Sequence, residues 1–97
     1  MFKKLAHRGL MARLVSQHGV NEGVAYALAT ACYPSRKQQL PFDPVTDSSE
    51  AARRVDYWER TQIPSVEELC TLIFGEQNVP ELERFVQMGA FLKDQGY

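Results

Sequence analysis

The chain has few cysteines, almost no carboxylate in its first third and no long apolar run, and each scarcity closes off a class of protein. Among 97 residues only Cys32 and Cys70 are cysteine. They form neither a Cys-x-x-Cys pair nor a Cys/His zinc spacing, and two cysteines make a poor disulfide framework, so core thiols in a reducing compartment are expected. The longest stretch free of charge runs from Gly23 to Ser35, short of the ~20 residues that a membrane span needs. Lys3 and Lys4 could open a secretory signal, but Arg8 and Arg13 interrupt the residues after them, where an apolar segment would have to lie. A soluble cytoplasmic protein without a membrane partner is therefore expected. No strand pattern and no glycine-rich phosphate loop occur, and nothing repeats internally. Apolar residues make up 44% and charged residues 24%, globular values that exclude disorder and fibrous classes and leave one domain over residues 1–97.

The net charge of −1 hides an asymmetry. Up to Lys37 the basic residues are Lys3, Lys4, Arg8, Arg13, Arg36 and Lys37 against Glu22 alone, a net +5; from Gln38 onward the net is −6. Such polarity concerns association rather than fold.

What the sequence has in strength is Gly23 to Ser35, alanine at every second position from Ala25 to Ala31. Alanine favours helix, and a helix apolar on every side has to be covered on every side. This stretch is expected to be the buried centre of an all-α domain of five helices, capped by Asn21 and stapled by Val20 against Ala25, its small side chains letting neighbours approach closely. Periodicity and punctuation place helices over about 2–18, 22–33, 48–62, 66–74 and 79–94, with an irregular loop over about 34–47. The first helix carries a bulky face (Leu10, Met11, Leu14) and a small one (Ala6, Gly9, Ala12, Ser16, near Phe2 and Leu5), which predicts a helix sandwiched on two sides. Gly19 supplies its left-handed stop. In the loop, Leu40, Phe42 and Val45 predict a strap packed on the core. Asp47 with Glu50 and Ser65 with Glu68 have capping-box spacing. Ala51, Val55 and Trp58 mark the core edge of the third helix, and Val66, Leu69, Cys70 and Ile73 that of the fourth. Leu82, Phe85, Val86, Gly89 and Leu92 share one face of the last, with Phe91 opposite.

Catalytic and metal chemistry find no footing in these residues. His7 and His18 are separated by roughly 16 Å of helix rise and cannot share one ion. Ser48, Ser49 and Ser65 are first-turn or capping residues, and the pair Glu67 and Glu68 complements a helix dipole. Neither an enzyme, a cofactor nor a metal is expected. Helix-turn-helix readout is disfavoured because the candidate recognition helices present alanine or begin with Glu81 and Glu83. Two electrostatic alternatives stand: sequence-independent nucleic-acid binding through Lys3, Lys4, Arg8, Arg13, Arg36 and Lys37, and nucleic-acid mimicry by Asp43, Asp47, Glu67, Glu68, Glu76, Glu81 and Glu83. The reading favoured is a protein-binding module, an adaptor or inhibitor whose partner is another protein or a copy of itself. Arg84, Met88 and Phe91 lie on the side of the last helix that the core does not need and have the composition of an interface core. Tyr57 with Arg53 and Arg60 forms a second patch.

Overall fold

A computed structural model describes residues 2–35, 40–61 and 65–94. The protein is all-α: α1 (Phe2–Ser16), α2 (Glu22–Cys32), α3 (Ser48–Thr61), α4 (Val66–Phe74) and α5 (Leu82–Asp94), with a 3₁₀ turn over Glu76–Glu81 before α5. Among the described residues there is no strand.

α2 is the hub. Every residue from Gly23 to Cys32 is buried, and the helix packs against α1, α3, α4 and α5. Its start follows the local chemistry: the Asn21 side chain accepts the Gly23 N–H at 2.8 Å. Leu28 of α2 and, around it, Leu10, Leu14, Val55, Leu69, Ile73, Phe74 and Phe85 are fully buried; each such side chain is worth roughly 1.5–3 kcal/mol relative to exposure. α2 and α5 approach each other backbone to backbone. A Cβ placed on Gly23 would overlap the Phe85 carbonyl oxygen and stand 2.9 Å from the Gly89 nitrogen. Only two glycines let these backbones meet.

α1 ends at Ser16 rather than at 18, because Gln17 and His18 wind into the turn. The Val20 N–H donates to the Leu14 carbonyl at 2.9 Å across Gly19, whose φ of 66° is the left-handed value that such a stop requires. The expectation of a sandwiched α1 is overturned. On its bulky side Leu10, Leu14 and His7 are buried and Met11 half-buried, but on the small side Ala6 and Gly9 are only half-buried, Ala12 and Ser16 are exposed and Leu5 is 62% exposed. Alanine, glycine and serine pack well when covered and cost little when not, so a small face does not by itself recruit a neighbour.

The loop behaves as a strap at two of its three anchors. Leu40 and Phe42 pack against the core, whereas Val45 is exposed and is tied by its backbone, its N–H donating to the Ile73 carbonyl at 2.7 Å. Asp47 Oδ1 accepts the Glu50 N–H at 2.8 Å and Ser65 Oγ accepts the Glu68 N–H at 3.2 Å, the capping halves of the two boxes.

The last helix begins at Leu82, not 79. Gly75 leaves α4 at a φ of 91°, the Asn78 N–H turns back to its carbonyl at 3.1 Å, and Pro80 has no N–H to offer an α-helical ladder. Its buried arc is also rotated from the expected one: Phe85 and Gly89 are buried and Leu82, Met88 and Leu92 half-buried, while Val86 is 40% exposed.

Candidate protein-binding surface

α5 presents Arg84 and Phe91 outward from the same side. An aromatic chain leads there from the core. Phe74 lies tilted against Phe85 with centroids 5.3 Å apart, Phe42 of the strap meets Phe85 edge-on at 5.2 Å, and the Arg84 guanidinium sits 5.8 Å from the Phe42 ring centre. Glu81 receives Arg84 Nε at 3.3 Å, so the cation is held by a ring beneath and a carboxylate beside it. Phe91, two turns further along α5, is 61% exposed. Met88, expected as the third member, is half-buried and packs on the core. The candidate surface is thus Phe42 with Arg84, and Phe91 two turns away on the same side of α5, while Met88 packs on the core. Phe42 is the member that sequence reasoning assigned only to packing. Its spacing with Leu40 and Val45 in a stretch without helical period is the signal that marked it as packed down.

The second patch separates into local pairs. Tyr57 is exposed, but Arg53 Nη2 lies 2.7 Å from Glu50 and Arg60 Nη2 lies 3.3 Å from Asp56, on the same helix. Arg53, through its hydrogen bond and its charge, and then Arg54 hold the Glu50 carboxyl below its ordinary range. These are solvated helix pairs, worth little each.

The basic set is only partly assembled. Arg8 is exposed on α1. Arg13 is engaged by Glu59 through two hydrogen bonds, 3.1 and 3.2 Å, and Glu59 also meets His18 Nε2 at 3.2 Å. Burial pushes the Glu59 carboxyl up, but Arg13 and His18 outweigh it and leave the group below its ordinary range. This cluster clamps α1 to α3, with Trp58 edge-on to His18. Lys3 and Lys4 lie in the first turn of α1, their side chains outside the description, and Arg36 and Lys37 fall outside the described residues. The acidic set comes from the loop (Asp43, Asp47), α4 (Glu67, Glu68), the 3₁₀ turn (Glu76, Glu81) and α5 (Glu83). Asp47 is occupied as a cap and Glu81 by Arg84.

The two thiols and His7 are buried. Cys32 and Cys70 are free thiols, and burial, helped by the charge of Glu59 on the first and Glu67 on the second, pushes both up to about 12. His7 Nε2 and Thr30 Oγ1 share a hydrogen bond of 2.9 Å, and the Tyr26 ring stands edge-on to the imidazole. Among the described residues, no three His, Cys, Asp or Glu side chains gather as metal ligands, and no helix is long and apolar enough to cross a membrane. Comparison of the chain with family models, curated proteins and solved structures finds no match.

Proposed function

We propose that this chain is a small non-enzymatic protein-binding module, an adaptor or inhibitor that occupies the surface of a larger protein with the Arg84–Phe91 side of α5. The observation that carries the proposal is Phe91, a large aromatic left mostly in water on the same side of α5 as an arginine laid on the Phe42 ring two turns away. Covering the exposed part of a phenylalanine of ~200 Å² would gain on the order of 3 kcal/mol, about a hundredfold in affinity. Aromatic and arginine anchors of this kind dominate binding energy at interfaces. Arg84 is held by Phe42 and Glu81, which lowers the entropy a partner must remove to use it. Free, buried thiols fit a cytoplasmic setting. Nucleic-acid binding draws less support, since Arg13 is committed to Glu59.

The test is affinity purification from native lysate with wild type, Phe91→Ala, and a variant with Lys3, Lys4 and Arg8 reversed in charge, each first shown to be folded. The expected result is a discrete partner retained by wild type and by the charge-reversed variant and lost with Phe91→Ala. Equal retention by all three overturns the assignment of the surface. Recovery of nucleic acid alone, nuclease-sensitive and lost on charge reversal, replaces it with the electrostatic reading.

A further inference from the structure

On the other side of α5 lies a surface that the Arg84–Phe91 reading does not use. Val15 and Val20, from the end of α1 and the following turn, face Val86 and Ala90 of α5 across an open groove of about 480 Å³ floored by Gly19–Glu22. Val86 and Ala90 are exposed there. The uncovered side of α1 carries the matching projection. Leu5, Ala12 and Val15 fall within about 100° of helix face, and Leu5 stands roughly 15 Å from Val15 along the axis.

Charge says what covers this groove. α2, α3, α4 and α5 each have a carboxylate in the first turn, which suits the helix dipole; α1 has none. It carries Lys3 and Lys4 there instead, against the dipole, with Arg8 one turn on. The groove has the opposite sign. Glu22 lines it and Glu83 precedes Val86 by one turn, both exposed and neither paired with a described cation. Within one molecule the first turn of α1 and Glu22 stand at opposite ends of a fifteen-residue helix, about 20 Å apart along its axis.

We infer that the groove is the docking site of a second copy of this chain, with Leu5 of each copy entering the groove of the other and the basic first turn of α1 lying toward the acidic end that carries the other copy's Glu22. Projection and groove lie on one side of the same helix, so a two-fold axis crossing α1 midway between Leu5 and Val15 satisfies both at once and closes the pair. The two α1 helices run antiparallel across it, which keeps the lysine sets at opposite ends and brings Arg8 over the small Ala12. Phe91 projects from α5 some 140° away from Val86, so the pair leaves both Phe91 surfaces open.

Sedimentation velocity of the full chain over a range of concentrations tests this, with circular dichroism confirming the fold of each variant. Wild type is expected to pass from one copy to two as concentration rises. Leu5→Glu and, independently, Ala90→Glu should each weaken the pair about 100-fold, because either drives a charge into an apolar contact. Glu22→Lys should weaken it about tenfold and Lys4→Glu in the same chain should restore it, as complementary pairs do. A wild type that stays a single copy up to ~0.5 mM overturns the inference. So does a pair indifferent to Leu5→Glu and Ala90→Glu, a pair dissociated by Phe91→Ala, or a charge swap that fails to restore what Glu22→Lys removed.

Discussion

Gly23 of α2 and Gly89 of α5 meet backbone to backbone: a Cβ built on Gly89 would come within 2.6 Å of the Gly23 Cα. Glycine inside a helix normally costs about 0.5–1 kcal/mol relative to alanine, so alanine should stabilise wherever there is room. Gly9 has room, its added Cβ meeting nothing nearer than the end of Arg13 at 3.6 Å. Gly9→Ala is therefore expected to stabilise by about 0.5–1 kcal/mol. Gly23→Ala and Gly89→Ala should have the opposite sign, costing ~1–3 kcal/mol or more as α5 is forced off α2. Urea unfolding of the three variants checks the sign, and stabilisation by Gly23→Ala would show that the helices do not meet there.

That contact also explains which parts of the fold were legible in the sequence. The hub was, since Ala25, Ala27, Ala29 and Ala31 leave no polar side for α2, and the caps were, since Asn21, Asp47 and Ser65 have few other uses before a helix. The rotation of α5 was not. Val86 outweighs Gly89 on any hydropathy scale, yet Gly89 is buried and Val86 is exposed because the rotation is set by backbone approach, which glycine permits without leaving a hydrophobic signal. The same blindness made α1 look covered on its small face. At the candidate surface, Arg84 and Phe91 were legible from their helical position, but Met88 turned inward with the rotated arc and Phe42 came from a strap whose path has no periodicity to read.

His7 makes stability depend on pH in a stated direction. Burial against Thr30 and Tyr26 holds its pKa below the ordinary value. The unfolded chain then binds the extra proton first, so the contribution is whole above about 6.5 and is lost as pH falls below it. Glu59, also held low, acts only in a more acidic window, below about 4.3. Stability by urea titration should therefore be lower at pH 5.5 than at pH 7.5, and His7→Asn should remove most of that difference. An unchanged difference in the variant would place the titration elsewhere.

The two thiols should be inert in the folded protein. Both are pushed up to about 12, chiefly by burial, and the thiolate is the reactive species. A disulfide reagent at pH 8 is expected to label neither Cys32 nor Cys70 until denaturant is added, after which both react. Rapid labelling of either without denaturant would show that its pocket opens.

The claim that α5 presents a partner surface is tested most directly by a photoreactive phenylalanine analogue placed at position 91 and, in a separate protein, at position 57, followed by illumination in native lysate. Phe91 and Tyr57 are comparably exposed aromatics, so position 57 reports random encounter. The account predicts one covalent protein adduct of defined size from position 91 and none from position 57. No adduct at 91, or the same adducts from both positions, would contradict it.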